Sequence, residues 1–298
     1  MIKLLDKYIN SDFIKDLQRV AKFGKTVHKT NLYDIRKNNF KDLKDPVFFL
    51  STGRCGTAWL SDLMEMDESL MIVHAPENPL LSQSKLFYEL YQDGGLSTRE
   101  WQLFQELYLA AFEHLFFNCI KSGKRLVITE SRCSFFVPII SKLIPQAHFV
   151  HVYRHPGEFV RSGIRRGYYI KEDHTQLNKI EPLADVRAKM GWNKFSQTQK
   201  ISWLWSETNS FIESYKAQID STKIHDLNFN SWDENILFDM FSKLDMDIPR
   251  NSIQKKLNVK INVEKRGNVD LYENWSEADK NSLRELCKPL ADKYNYDL

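Results

Sequence analysis

Short runs of apolar residues alternate along the chain with longer segments in which apolar residues recur every three or four positions. Several of the short runs have no polar face, as in Val47-Phe48-Phe49-Leu50. Such strands are typical of a parallel sheet that helices cover on both sides. The predicted strands are Pro46 to Thr52, Leu70 to Ala75, Arg125 to Ser131, His148 to Arg154 and Lys223 to Phe229.

The longer segments have the period of amphipathic helices. The last of them opens with Ser276-Glu277-Ala278-Asp279, an N-cap residue followed by acidic residues in the first turn. Alternating strands and helices predict an α/β fold, with a central, mostly parallel sheet flanked by helices in one domain over residues 46–298. The apolar stripes of two further helices are Trp101, Phe104, Tyr108, Ala111 and Leu115, and Ile201, Leu204, Thr208, Phe211 and Tyr215.

Residues 1–45 have a different character, with 11 basic and 6 acidic side chains. Their apolar residues lie on one face of a predicted helix, and lysines surround that face. A basic amphipathic helix either packs against its own domain or lies on a membrane surface, and the sequence leaves both interpretations open. The apolar face consists of Leu5, Ile9, Phe13, Leu17 and Val20.

Composition excludes several classes of protein. Of 298 residues, 42% are hydrophobic and 27% charged, which is ordinary for a globular protein and wrong for a disordered one. A net charge of +3 gives no indication of nucleic-acid binding. The four cysteines form no C-x-x-C pair, and the first residues lack the apolar run of a signal peptide. We therefore expect a cytoplasmic protein.

The first candidate site follows the first strand, in Ser51-Thr52-Gly53-Arg54-Cys55-Gly56-Thr57. Two glycines allow a tight turn in which backbone N–H groups converge, and a helix is predicted to begin at about Thr57. The helix N-terminus and Arg54 together suit a phosphate or sulfate group. A plain strand–turn–helix connection is the alternative. The loop lacks the G-x-x-x-x-G-K-[ST] pattern of nucleoside triphosphatases.

The second candidate site follows the fourth strand, where Arg154 precedes His155-Pro156-Gly157 and a predicted helix. Arg154 and Ser162, about two turns into that helix, are expected to hold a second phosphate. The nearby His148 and His151 point to opposite faces of a strand and cannot share an ion, so the sequence predicts no metal site.

Together these loops resemble those of sulfotransferases that use 3′-phosphoadenosine 5′-phosphosulfate (PAPS). The first loop is similar to the family's 5′-phosphosulfate loop, and the second to its 3′-phosphate motif, with a serine eight residues after the arginine. A third match is Lys265-Arg266-Gly267, similar to the family's basic loop over the 3′-phosphate. The resemblance covers about residues 45–298 and implies a single P-loop-like α/β domain.

The resemblance also implies site residues. In the first loop, Arg54, Cys55, Gly56, Thr57 and Ala58 match positions that bind the donor nucleotide. Cys55 replaces the family's usual serine and Ala58 its second threonine, so two hydroxyls are missing. Trp59 resembles the tryptophan that stacks on adenine, and a core position is the alternative interpretation.

The implied reaction is metal-free, in-line transfer of a sulfuryl group from PAPS to an acceptor hydroxyl, which leaves adenosine 3′,5′-bisphosphate. Arg54 and the helix start at Thr57 would stabilise the charge on the leaving phosphate. Glu77, after the second strand, fits the place of the family's base, and His74 is the alternative. The same sequence leaves room for a nucleotide-dependent kinase or an inactive binding protein. The acceptor is open: a glycan, a lipid or another hydroxyl compound.

Overall fold

Five parallel strands form the central sheet, in the spatial order β2-β3-β1-β4-β5. The computed structural model describes residues 40–76, 80–131, 133–170, 179–258 and 269–298. Each observed strand lies within a predicted run, so the predicted α/β fold is confirmed. The strands are β1 (Val47–Leu50), β2 (Leu70–Val73), β3 (Arg125–Ile128), β4 (His148–Tyr153) and β5 (Ile224–Asn228).

Helices connect the strands, and the predicted stripes lie on them. The N-caps at Ser97 and Ser196 are both capping boxes, closed by Glu100 and Gln199, and Ser276 caps the last helix as predicted. The helices are α1 (Thr57–Met64), α2 (Leu81–Gln92), α3 (Thr98–Ser122), α4 (Cys133–Leu143), α5 (Pro156–Arg166), α6 (Ala184–Lys189), α7 (Gln197–Lys216), α8 (Glu234–Lys243), α9 (Arg250–Leu257) and α10 (Glu277–Lys293).

The two faces of the sheet have separate cores. Phe48 and Phe149 belong to the core that α2, α3, α4, α5, α7 and α10 cover. Phe49 and Val150 belong to the core that α1, α8 and α9 cover. Every residue of β1 is buried, which explains why this strand has no polar face.

The strand order creates a switch point at β1. The chain runs from β1 outward to β2, returns to β3 beside β1, and then crosses to β4 on the other side. Open α/β sheets bind ligands at such a point, in the crevice beyond the carboxyl ends of the strands. Here that crevice lies between the loops that follow β1 and β4, which are the two loops singled out from the sequence.

The last residues of the basic N-terminal segment pack on the α/β body. Phe40 and Leu43 are buried, and the Phe40 ring meets Phe116 of α3 edge-on at 5.3 Å. The predicted amphipathic helix itself lies outside the described residues. Within the described part of the chain, no helix combines the length and apolar character needed to cross a membrane.

Candidate active site

The loop between β1 and α1 takes its shape from left-handed backbone at Gly53, Arg54 and Gly56, whose φ angles are 77°, 58° and 77°. Glycine adopts this conformation freely, whereas Arg54 does so at a cost of about 1–2 kcal/mol. The core fixes the start of the loop, because Ser134 Oγ accepts from Ser51 N at 2.8 Å and donates to Ser51 O at 2.9 Å. The turn therefore leads directly into α1, whose N-cap Gly56 supplies no side chain to its first N–H groups.

Gly56 has no room for a side chain. A Cβ atom there would lie 2.5 Å from Phe229 Cε2 and 2.6 Å from Trp232 Cη2. These two rings follow β5 and contact each other with centroids 4.7 Å apart. The turn after β5 thus packs directly on the loop after β1. Neither ring was predicted from the sequence to lie at the site. Both follow the end of a strand in a parallel sheet, and that position could have indicated a place near the site.

Arg154, at the end of β4, has fixed contacts on several sides. Its Nη1 donates to the carbonyl of Arg54 at 3.0 Å, and its Nη2 donates to Glu158 Oε2 at 3.0 Å. The guanidinium carbon lies 4.7 Å from the ring centroid of Phe229. Trp205 of α7 donates from Nε1 to the Arg154 carbonyl at 2.8 Å. Arg154 therefore joins the loops after β1, β4 and β5.

Arg54 joins the two candidate loops a second time. Its Nε donates to Ser162 Oγ of α5 at 3.0 Å. Ser162 was predicted to act together with Arg154. Its hydroxyl instead accepts a hydrogen bond from Arg54. The predicted loops thus form one cationic cleft.

Two further arginines of α5 extend this cleft. Arg161 Nε and Arg165 Nη2 both donate to the carbonyl of Val269, at 3.0 and 3.4 Å. Val269 comes two residues after the predicted loop Lys265-Arg266-Gly267, which lies outside the described residues. The role of that loop stays a prediction, and the chain that follows it is held against α5.

Trp59 occupies a core position. It is 8% exposed, stacks on Trp232 with centroids 5.3 Å apart, and donates from Nε1 to the carbonyl of Lys256 at 3.2 Å. This is the alternative that the sequence left open, and stacking on adenine stays a prediction.

Cys55 points into the protein. The thiol is fully buried, donates to the carbonyl of Gly53 at 3.1 Å and lies 3.3 Å from Thr52 Oγ1. Burial raises the pKa of this thiol. The side chain at this position therefore faces the core, and Cys55 can offer a ligand only its backbone. Thr57 opens α1 and is buried, and Ala58 is half-buried.

The end of β2 lies farther from the first loop than the sequence analysis expected, because β3 separates β2 from β1. His74 is exposed, and its Nδ1 lies 2.9 Å from Thr129 Oγ1. Thr129 Oγ1 is in turn 2.7 Å from Ser61 Oγ of α1. A hydrogen-bonded chain thus links His74 to α1 across β3. Glu77 lies outside the described residues, so its role stays a prediction.

Comparison with solved structures decides the fold. The chain is similar to the sulfotransferase domain from the curacin biosynthetic pathway, with a TM-score of 0.50 and 12% identity over 86% of this chain and 99% of that one. It is also similar to sulfotransferase STF9 from Mycobacterium avium, with a TM-score of 0.54 and 12% identity over 94% of this chain and 82% of that one. The chain has the sulfotransferase fold. No family model and no curated protein matches it.

The two candidate loops lie at the switch point of the sheet, after β1 and β4. Arg54 comes from the loop after β1, and Arg154 and Ser162 come from the segment after β4; hydrogen bonds join the two segments. Both guanidinium groups are permanently charged and donate hydrogen bonds, and the Ser162 hydroxyl accepts one from Arg54, so this group of side chains suits an anionic ligand.

Proposed function

We propose that this chain is a sulfotransferase that transfers a sulfuryl group from PAPS to an acceptor hydroxyl by metal-free, in-line displacement. The supporting observation is the contact between the two candidate loops, in which Arg154 binds the Arg54 carbonyl and Arg54 binds Ser162. A donor with phosphate groups at both ends of one nucleoside needs two anion-binding loops in one cleft, and this contact brings them together.

The residues of the cleft suit such a donor. Arg154 Nε is buried and has no hydrogen-bond partner among the described residues. Its N–H group can therefore donate a hydrogen bond to a phosphate oxygen. Arg154 Nη2 is paired with Glu158, and the two side chains are 19% and 22% exposed. A bound phosphate group would compete with Glu158 for this nitrogen.

During transfer, the bond between sulfur and the 5′-phosphate oxygen breaks while the acceptor oxygen bonds to sulfur. Arg54 and the first N–H groups of α1 stabilise the negative charge that builds on the leaving phosphate. Arg154, with the predicted loop Lys265-Arg266-Gly267, holds the 3′-phosphate. Loss of one such preorganised donor typically lowers the rate by about 10²–10³-fold.

A base must take the proton of the acceptor hydroxyl. We assign this role to Glu77, with His74 as the alternative. His74 Nδ1 is engaged by Thr129, which leaves Nε2 of the ring to face the acceptor. His74 follows β2, on the side of the sheet away from Arg154 and β4.

The adenine ring requires an aromatic surface near the first loop. Trp59, Trp232 and Phe229 supply one beside Gly56. Because Trp232 covers one face of Trp59, we expect adenine either to take the place of Trp232 or to bind against the outer aromatic rings.

The acceptor is a glycan, a lipid or another hydroxyl compound in this proposal, and the reaction is cytoplasmic. The basic segment of residues 1–45 would provide peripheral contact with a membrane that carries the acceptor.

Ligand binding separates this function from a kinase. In a thermal-shift assay without metal, adenosine 3′,5′-bisphosphate should raise the melting temperature, and ATP with Mg²⁺ should have a smaller effect. The reverse order would favour a phosphotransferase. An acceptor screen with ³⁵S-labelled PAPS then separates an enzyme from an inactive binding protein of the same fold, with Arg54→Ala as the inactive control.

A further inference from the structure

The two histidines of β4 have different surroundings, as their opposite faces predict. His148 stacks on His225 with ring centroids 5.8 Å apart. His151 is fully buried beneath α7, where its Nδ1 lies 3.5 Å from Glu213 Oε1 and 3.6 Å from Asp226 Oδ1. The sequence indicated only the histidines as possible metal ligands, because Glu213 and Asp226 lie far from His151 along the chain.

The second nitrogen of His151 has a defined hydrogen-bond partner. His151 Nε2 lies 3.0 Å from Asn209 Oδ1, and Asn209 Nδ2 donates to the carbonyl of Trp205 at 2.8 Å. The amide of Asn209 is therefore oriented with its oxygen toward His151, so Nε2 carries a proton. In the neutral ring, Nδ1 then presents a lone pair, as in metal-binding histidines whose other nitrogen donates to an oxygen.

This lone pair has no partner. His151 Nδ1 is buried without a hydrogen bond to any described residue, and it points at two carboxylates. A lone pair that faces two negative charges is unfavourable, and a cation that binds Nδ1 together with both carboxylates removes this repulsion.

We propose that His151, Glu213 and Asp226 form a binding site for a divalent transition metal of the Zn²⁺ class, separate from the cleft of Arg54 and Arg154. Tetrahedral ligands at about 2.1 Å from a metal are about 3.4 Å apart, close to the two separations from His151. One imidazole nitrogen and two carboxylate oxygens are a donor set that zinc and its neighbours accept, with water as the fourth ligand. The three ligand atoms lie within 4.8 Å of one another.

In the absence of a metal ion, the Lys216 ammonium forms ion pairs with the carboxylates of Glu213 and Asp226. Its Nζ lies 2.7 Å from Glu213 Oε1 and 2.5 Å from Asp226 Oδ1, and Lys293 Nζ lies 2.5 Å from Glu213 Oε2. Lys216 is the last residue of α7, and the Asp226 side chain is 55% exposed. The metal enters from this open side as the Lys216 ammonium moves into solvent.

Metal titration of the full chain tests the site independently of any transferase activity. After treatment with EDTA, the protein is titrated with Zn²⁺ by calorimetry and with Co²⁺ by visible absorption. We expect one equivalent to bind, about tenfold more tightly in Lys216→Met because the competing ammonium is gone. Asp226→Asn, at an exposed position, and His151→Gln should each weaken binding by about 10–100-fold or more.

His148→Gln is the matched control, since it removes a histidine of the same strand from the opposite face. Equal metal affinity in the wild-type chain, Asp226→Asn and His151→Gln would overturn the proposal. Failure of Lys216→Met to bind either ion would also overturn it and would identify the cluster as an ion-pair network only.

Discussion

Arg54 Nε donates a 3.0 Å hydrogen bond to Ser162 Oγ, although 108 positions separate the two residues in the sequence. This hydrogen bond spans the switch point between β1 and β4 and joins the loop after β1 to the helix after β4. Each loop alone is a common strand–turn–helix connection. The contact between the two loops is the observation that favours a donor with two anionic ends.

Arg154→Ala should weaken the binding of adenosine 3′,5′-bisphosphate by about 10–100-fold, because hydrogen bonds to charged groups contribute about 1.5–3 kcal/mol each. Titration calorimetry without metal measures the effect. Arg187→Ala is the matched control, since it removes an arginine whose partner is Glu181 rather than a residue of the cleft. Unchanged affinity in Arg154→Ala would remove the second loop from the site.

Gly56→Ala should destabilise the protein and weaken nucleotide binding. The new Cβ combines a φ of 77° with contact at 2.5 Å to Phe229, and overpacking of this kind costs about 1–3 kcal/mol beyond the backbone strain. Gly191→Ala isolates the strain, because Gly191 has a φ of 68° and open space around its Cβ position. Urea unfolding compares the free energies of unfolding of the two variants. An equal decrease in both would contradict overpacking at Gly56, because it would mean that Phe229 and Trp232 move aside without destabilising the protein.

Trp205→Phe should lower nucleotide affinity through the position of Arg154. The change keeps an aromatic ring in the core and removes the N–H that binds the Arg154 carbonyl, which costs about 1–3 kcal/mol when the buried oxygen is left unpaired. Trp203→Phe, on the same helix, is the control. The expected signature is a rise in KM for PAPS with little change in kcat. Equal effects of the two variants would leave Trp205 a packing role only.

Glu77→Gln should lower kcat strongly with little effect on the affinity for adenosine 3′,5′-bisphosphate, because a base acts on the acceptor proton and not on the donor nucleotide. His74→Ala should have the smaller effect. If Glu77→Gln retains turnover and His74→Ala abolishes it, the base is His74. Single-turnover rates with saturating PAPS separate these outcomes.

Glu213→Gln should lower stability at neutral pH more than at acidic pH. Burial alone raises the pKa of Glu213, but its interactions with His151, Lys216 and Lys293 outweigh burial and lower that pKa overall. The stabilisation is therefore complete above the unfolded pKa of about 4.3 and is lost as the pH falls toward the lower folded value.

Urea unfolding at pH 7 and pH 3, with EDTA present, measures this difference for Glu213→Gln and the wild-type chain. Glu285→Gln, at an exposed position of α10, is the control. A stability difference that does not change with pH would mean that the Glu213 carboxylate is not stabilised by its charged neighbours.

Local patterns determined the elements of this protein. Short apolar runs indicated the inner strands, because a strand buried on both faces favours apolar residues throughout, as Val47–Leu50 shows. The fifth strand, Ile224–Asn228, alternates apolar and polar residues instead. The glycine pair around Arg54 and the helix start at Thr57 were likewise predictable, since left-handed backbone and helix capping depend on neighbouring residues.

Only the tertiary structure decided which residues meet. It placed β3 between β2 and β1, put Ser162 on Arg54, turned Cys55 into the core and packed Trp232 on Trp59. It also brought His151 to two carboxylates from other elements. These contacts depend on strand order and on side-chain packing between distant segments, which a single sequence does not encode in any local period. The two arginine-containing loops are local features, and the contact between them is a property of the sheet.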